Sequence, residues 1–355
     1  MIGTGPDGIA VMDGSPAVGR IRALDALRGL AICGIMLVNT WQHTLAQRKS
    51  TQIDWVMTNL FQSRFYPIFS FLFGMGFALF LRSAFLKSAF LKSAFLKSAA
   101  ARSARARTAR PRLVLLRRLA VLALLGVAHW SFYPGDVLLP YALLGATVLL
   151  PASFLPAPLV LLLGTGTTVA ALLTGKPYVL IAALFLLGLA TVRYGRADRL
   201  AGPVTFGVSA ALTIVLTWWW NHSPPSGGVY QAAALCGAAA YGTGFLLFTR
   251  KTAIFEALGR MALTNYLTST AVILAATPLL AADDTGAAIV GLSAVALAAQ
   301  AAFSRWWLAR YRYGPLEWVW RSLTWWEPVR NRQTGTRDTR SPLPDPRRPR
   351  SEDEP

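Results

Sequence analysis

The sequence has few charged residues, and acidic residues are the scarcest of them. Charged residues make up 14% of the 355 positions, with 16 Asp and Glu against 35 Lys and Arg. A soluble domain of this length usually carries about 25%. The apolar residues instead form long Ala-, Leu- and Val-rich blocks from Ala23 to Leu308, near the roughly 20 residues that a helix needs to cross a bilayer. The composition excludes an ordinary soluble domain and predicts an all-α, polytopic membrane helical bundle.

Cysteine and histidine are also scarce, and the signatures of several enzyme classes are missing. Cys33 and Cys236 lie within apolar blocks and form no Cys-X-X-Cys or zinc pattern. The sequence has no Gly-Lys-Ser/Thr phosphate loop, no His-Glu-X-X-His pair and no Gly-X-Ser-X-Gly elbow. These absences argue against an ATPase, a zinc protease and an α/β-hydrolase, and no metal site is predicted.

About ten membrane-spanning helices are predicted, and the positive charges orient them. The predicted spans are 23–42, 65–82, 113–132, 137–152, 157–174, 178–193, 203–220, 229–249, 261–281 and 286–308. With the N-terminus inside, all but four of the 35 Lys and Arg residues fall on the cytoplasmic side, the exceptions being Arg48, Lys49, Arg64 and Lys176. Both termini are therefore predicted to be cytoplasmic. The net charge of +19 is then a topology signal, and no nucleic-acid partner is expected.

Three regions are expected along the chain. Residues 1–19 are predicted to be a disordered N-terminal segment, residues 20–326 the membrane domain, and residues 327–355 a disordered basic and proline-rich tail. Within the membrane domain, residues 83–112 form a basic cytoplasmic linker that begins with three copies of Ser-Ala-Phe-Leu-Lys. The linker is either a tandem duplication without further role or a segment that lies on the membrane surface.

Polar side chains within the spans are the best clue to function, because burying them costs several kcal/mol unless they are paired. Asp25 and Arg28 lie three residues apart at the cytoplasmic end of the first span, so they share a helix face. They form either a structural ion pair or a site where Arg28 binds an anion, such as the phosphates of a nucleotide-like donor.

His129 and Asp136 flank a predicted turn at Pro134-Gly135, between the third and fourth spans. The turn reverses the chain at once and brings the carboxylate close to the imidazole. A histidine oriented by a carboxylate is the usual general base. The alternative is an interfacial histidine beside a helix N-cap.

Three other polar residues in the spans leave two interpretations open. Asn39, near the outer end of the first span, is either an ordinary interfacial residue or part of an outward-facing polar cleft. Arg260 and Asn265, at the start of the ninth span, either bind a polar substrate or hydrogen-bond to neighbouring helices.

Five ordered motifs together resemble the YeiB-like family of bacterial inner-membrane proteins, a domain of unknown function. They are Leu-Asp-Ala-Leu-Arg-Gly (24–29), Phe-Ser-Phe-Leu-Phe-Gly (69–74), Gly-Asp-Val-Leu (135–138) after His129, Gly-Arg-Met-Ala-Leu-Thr-Asn-Tyr-Leu (259–267) and Tyr-Gly-Pro-Leu-Glu-Trp (313–318). The resemblance covers roughly residues 20 to 326, and it adds Glu317, in the last motif, to the substrate-binding candidates.

The YeiB-like family is similar to a wider group of membrane acyltransferases, which use acyl-CoA on the cytoplasmic side and an acceptor such as a sugar. The resemblance implies acyl or acetyl transfer to an envelope or secreted small molecule, glycan or lipid, with donor phosphates at Arg28 and Arg260 and His129 as the base. Because Arg28 and His129 are predicted at opposite faces, the acyl group would have to pass through the membrane. The alternatives are a transporter or exporter and a non-catalytic membrane scaffold.

Overall fold

The computed structural model describes residues 16–45, 50–93, 110–195 and 202–333. Within these ranges the chain is helical, and its one extended pairing is an isolated bridge between Tyr311 and Arg332. The helices are α1 (Pro16–Thr44), α2 (Gln52–Val56), α3 (Tyr66–Ser93), α4 (Pro111–Trp130), α5 (Leu138–Ala152), α6 (Ala157–Thr174), α7 (Pro177–Tyr194), α8 (Pro203–His222), α9 (Gly227–Phe248), α10 (Ala253–Arg260), α11 (Ala262–Ala275), α12 (Thr277–Ala281), α13 (Ala287–Leu308) and α14 (Pro315–Trp325). The predicted all-α polytopic bundle is confirmed.

Eight of the described helical segments are long and apolar enough to cross a membrane. The fourth and ninth predicted spans correspond to the shorter apolar helices α5 and α11. A π-helical turn at Gly145–Leu149 interrupts α5. The predicted span 261–281 is not continuous, because α11 ends at Ala275 and Pro278, which lacks an N–H group, lies in the first turn of α12. Eight long and two short helices together account for the ten predicted spans.

The centre of the bundle is a close crossing of α3 and α7. A Cβ atom on Gly74 would lie 2.2 Å from the carbonyl oxygen of Phe185, and one on Gly188 would lie 2.3 Å from that of Phe71. Because the hydrophobic effect does not drive helices together within lipid, their association depends on close packing. Glycines allow that packing because they let the two backbones approach. The periphery is apolar and exposed, as in α8, where Val204 is 77% and Ile214 is 71% exposed. An exposed apolar surface of this kind is typical of helices that face lipid.

The structure describes part of the predicted linker and of the predicted terminal segments. Helix α3 continues to Ser93, beyond the predicted end of its span, so the linker 83–112 begins as a helix that contains the first two five-residue repeats. Helix α1 begins at Pro16, before the predicted domain boundary. At the C-terminus, the N–H of Arg312 donates to the carbonyl of Asn331 at 2.8 Å. The rest of the linker at 94–109, residues 1–15 and residues 334–355 lie outside the described residues.

Candidate functional site

A cavity of about 660 Å³ extends along the inside of the bundle, beside α1, α3, α4 and α11. Its lining on α1 runs from Arg28 to Gln42, about 21 Å at 1.5 Å per residue. One end, called here the basic end, is lined by the guanidinium groups of Arg28, Arg118, Arg260 and Arg321. The other, called the neutral end, carries the uncharged polar residues Asn39, Gln42, Ser63 and Tyr178. Apolar and aromatic side chains line the wall between them, including Ile32, Phe69, Phe73, Leu119, Leu122 and Tyr266.

Two glycines bring together two motifs that are far apart in the sequence. A Cβ atom on Gly29 would lie 2.0 Å from the carbonyl oxygen of Phe255, and one on Gly259 would lie 1.8 Å from that of Asp25. Helices α1 and α10 therefore touch backbone to backbone. Because each glycine adjoins an arginine in the sequence, this contact places Arg28 and Arg260 at the same end of the cavity.

The arginines of the basic end are held in different ways. Nη1 of Arg28 donates to Oδ1 of Asp25 at 2.7 Å, and Nη2 of Arg260 donates to the carbonyl of Arg312 at 3.2 Å. The guanidinium of Arg118 lies over the ring of Trp320 at 4.4 Å, and that of Arg321 lies over the ring of Tyr313 at 4.2 Å.

Among the described residues that line the cavity, Glu317 is the one carboxylate against these four guanidinium groups. Asp25, the partner of Arg28, does not itself line the cavity. The excess of positive charge makes the basic end suited to an anion with more than one charge.

Glu317 connects α14 to the first turn of α11. Its Oε1 accepts from the N–H groups of Leu263 at 2.7 Å and Thr264 at 3.0 Å, and its Oε2 accepts from Oγ1 of Thr264 at 2.6 Å. A carboxylate at a helix N-terminus satisfies N–H groups that have no partner within the helix and interacts favourably with the helix dipole. Burial nevertheless raises the pKa of Glu317 above its usual range. Glu317 lines the cavity, but its oxygens already hold α11 in place.

His129 and Asp136 meet as the sequence predicted. Nδ1 of His129 lies 2.7 Å from Oδ1 of Asp136, and both side chains are buried. Oδ2 of the same carboxylate accepts from the N–H of Leu139 at 2.8 Å, so Asp136 also caps α5. The two alternatives left open by the sequence, an oriented histidine and a helix N-cap, are therefore both present.

The pair lies behind the cavity wall rather than on its surface. The ring of Tyr266, which lines the cavity, has its centroid 5.2 Å from that of His129. On the side away from Asp136, Nε2 of His129 lies 2.9 Å from Oγ1 of Thr270. The imidazole therefore packs against a residue of the cavity wall without itself lining the cavity.

The other predicted residues divide between the cavity and the helix contacts. Arg28, Asn39, Arg260 and Glu317 line the cavity. Asn265 does not: its Nδ2 donates to the carbonyl of Leu258 at 3.0 Å and to Oγ of Ser304 at 3.2 Å, which is the helix-packing alternative.

Sequence reasoning did not single out Arg118, Arg321 or Thr270. Arg118 and Arg321 were counted with the basic residues that orient the protein, and Thr270 lies in an apolar run without a motif. The spacing of His129 and Asp136 indicated that pair, but nothing local in the sequence indicates which hydroxyl faces the other side of the imidazole.

Comparison with known proteins agrees with the motifs. Residues 191–327 match the family described as "Protein of unknown function (DUF418)", which confirms the YeiB-like resemblance. The chain is 29% identical over 352 residues to an "Uncharacterized 39.9 kDa protein in amylase 3'region" of Bacillus acidopullulyticus, covering 86% of this chain and 94% of that protein. It is 25% identical over 412 residues to the "Uncharacterized protein YxaH" of Bacillus subtilis (strain 168), covering 87% and 96%. No solved structure matches.

Proposed function

We propose that this YeiB-like multi-pass membrane protein transfers an acyl group from acyl-CoA, bound at the basic end of the cavity, to an acceptor at the neutral end. The observation that carries the proposal is the cavity itself, because it connects four arginines to a neutral polar mouth along an apolar wall. The positive-inside rule assigns the basic end to the cytoplasm, where acyl-CoA is found. We propose the bacterial inner membrane as the location.

The basic end supports binding of a donor with several phosphates. Guanidinium groups form paired hydrogen bonds with phosphate oxygens, and they remain charged in surroundings where a lysine would lose its proton. Arg28 and Arg260 were expected there from the sequence, and Arg118 and Arg321 line the same end. With its phosphates at the arginines, the donor would extend its neutral arm and acyl group along the apolar wall.

The neutral end supports an uncharged acceptor. Asn39, Gln42 and Ser63 offer hydrogen bonds without a charge, which suits the hydroxyl groups of a glycan, a lipid headgroup or a small secreted molecule. His129, oriented by Asp136, would remove the proton from the attacking hydroxyl. Arg28 and His129 lie toward opposite ends, and the cavity is long enough for a donor bound at Arg28 to extend its acyl group toward His129.

The test uses purified protein in lipid nanodiscs with radiolabelled acetyl-CoA and with a longer, octanoyl-CoA donor. Wild type is compared with Arg28→Ala and His129→Ala, and Arg310→Ala serves as the control because Arg310 packs on Trp306 and does not line the cavity. The proposal expects cleavage of the thioester that falls at least tenfold in the first two variants and persists in the control. Absence of cleavage in wild type with both donors would overturn it.

The same cavity favours a second candidate, export of a small molecule or lipid. A cavity lined over about 21 Å of one helix, with polar groups at both ends, is also what a transported molecule requires. A transporter would move its substrate unchanged across vesicles, with no cleavage of acyl-CoA, so the nanodisc assay separates the two functions.

A further inference from the structure

We infer that Thr270 is the nucleophile that carries the acyl group as a covalent ester between donor and acceptor. This inference rests on the proposed acyl transfer and goes beyond it by assigning a further catalytic residue and an order of steps. It starts from three side chains in a row: Asp136, His129 and Thr270, with polar atoms 2.7 Å and 2.9 Å apart.

The direction of the hydrogen bonds follows from the carboxylate. An ionised carboxylate only accepts, so Nδ1 of His129 carries the hydrogen that Asp136 accepts. In a neutral imidazole the other nitrogen, Nε2, then holds a lone pair. With this neutral tautomer, the hydroxyl of Thr270, 2.9 Å away, is the donor. A hydroxyl that donates to a histidine oriented by a carboxylate is the arrangement that activates hydroxyl nucleophiles in acyl transfer.

Thr270 differs in this from other threonines of the helical bundle. Thr40, Thr168 and Thr243 each donate to the carbonyl four residues earlier at 2.7–2.8 Å, which is how a hydroxyl is usually satisfied within a membrane helix. The corresponding distance from Thr270 to the carbonyl of Tyr266 is 3.5 Å, too long for a good O–H···O bond. Of these two partners, Nε2 of His129 is the nearer to the hydroxyl of Thr270.

The position of Thr270 along α11 fits a carrier between the two ends. It lies six residues after Thr264, which contacts Glu317 at the basic end, so the separation along the helix is about 9 Å. Tyr266, one helical turn before Thr270, lines the cavity, whereas Thr270 does not. The ring of Tyr266 is buried and packs on His129, and its phenol oxygen accepts from the N–H of Val137 at 3.3 Å. Acyl transfer to Thr270 therefore requires this ring to turn aside when an acyl group enters.

The reaction then proceeds in two balanced steps. In the first, Oγ1 of Thr270 attacks the thioester carbon and its proton passes to Nε2 of His129. The C–O bond forms, the C–S bond breaks, and His129 returns the proton to the departing CoA sulfur. In the second step, an acceptor hydroxyl gives its proton to His129 and attacks the ester carbon. The bond from the acceptor oxygen to that carbon forms, the bond to Oγ1 of Thr270 breaks, and His129 returns the proton to Oγ1. Donor and acceptor never need to be bound together, although they enter from opposite ends.

The test is to trap the ester. Wild-type protein in nanodiscs is incubated with radiolabelled acetyl-CoA and octanoyl-CoA without acceptor, quenched in acid, and mapped by peptide mass spectrometry. We expect label on Thr270, no label in Thr270→Val, and retained label in Thr270→Ser, which keeps the hydroxyl. Thr243→Val is the matched control, since the hydroxyl of Thr243 is bonded to its own helix. Thermal unfolding of each variant identifies any that fail to fold, and the retained hydroxyl in Thr270→Ser keeps the test valid if Thr270→Val is unstable.

The outcomes separate this inference from the proposed function. If wild type cleaves both donors but label is on His129 or absent from the protein, or if Thr270→Val keeps its activity, Thr270 is not the carrier and the proposed transfer stands. If wild type cleaves neither donor, the proposed function fails and the inference fails with it.

Discussion

Nδ1 of His129 lies 2.7 Å from Oδ1 of Asp136, across the turn that joins α4 to α5. The same carboxylate receives the N–H of Leu139 and so caps the helix that follows the turn. One buried side chain therefore fixes the start of a helix and the orientation of an imidazole. Because the imidazole is buried as well, and is bonded at both nitrogens, it is held in one orientation before a substrate arrives.

Replacing Asp136 with Asn should remove activity while leaving much of the fold. An asparagine can still accept from Leu139, but as a donor to Nδ1 it favours the wrong tautomer of His129. The change should lower kcat by up to about 10⁴-fold, the loss seen when the orienting carboxylate of a catalytic triad is replaced by an amide. Steady-state cleavage of acyl-CoA measures the effect. Asp283→Asn is the control, because Asp283 accepts from the N–H groups of Thr285 and of Ala288, in the first turn of α13, and has no histidine partner among these bonds. Equal kcat values for both variants would contradict the assigned role.

Removing Arg118 should weaken donor binding more than it slows the chemical step. Arg118 lines the basic end and lies 4.4 Å from the ring of Trp320. Losing one guanidinium–phosphate contact should raise the KM for acyl-CoA about tenfold, which corresponds to about 1.4 kcal/mol. Arg118→Lys should recover part of the loss through charge alone. A KM for Arg118→Ala equal to that of the control Arg310→Ala would show that the donor does not bind at this end.

Adding a side chain at Gly259 should destabilise the folded protein. A Cβ atom there would lie 1.8 Å from the carbonyl oxygen of Asp25, whereas one on Gly291 would meet nothing within 4 Å. Gly259→Ala must push α10 from α1, at a cost of about 1–3 kcal/mol or more, and should lower the thermal unfolding temperature in detergent. Gly291→Ala should leave that temperature unchanged or raise it, since alanine favours a helix. Equal unfolding temperatures would mean that the α1–α10 contact is looser than described.

The stability conferred by Glu317 should depend on pH. Burial raises the pKa of this carboxyl above its usual 4.5, so the folded protein binds the proton more tightly than the unfolded chain does. The resulting stabilisation is complete below the unfolded pKa and is lost as pH rises through the folded one. Glu317→Gln lacks this titration, so its unfolding temperature should improve relative to wild type as the pH rises from about 4 to 8. A difference that stays constant, or that moves the opposite way, would contradict the burial of a titrating carboxyl.

Much of the fold could be predicted because it depends on local properties of the sequence. Apolar runs long enough for a bilayer, and loops that hold the positive charge, indicated the number of helices. The turn at Pro134-Gly135 similarly predicted the contact of His129 with Asp136, since a tight turn reverses the chain and places the residues on either side of it close together.

What could not be predicted depends on packing between distant segments. No local pattern shows that Gly259 rests on the backbone of Asp25, that Glu317 caps α11 from 53 residues away, or that Thr270 faces His129 across 141 residues. Arg118 likewise lines the same cavity as Arg28 from a helix far away in the sequence.

The most direct test of the central claim is to follow the acyl group across a sealed membrane. Protein reconstituted in vesicles loaded with glucose receives labelled acetyl-CoA outside only, so that molecules with their basic end outward can react. We expect labelled acetyl ester, or labelled acetate from attack by water, inside the vesicles, with free CoA left outside and no signal in His129→Ala. Label that stays outside, or intact acetyl-CoA recovered inside, would contradict transfer through the cavity.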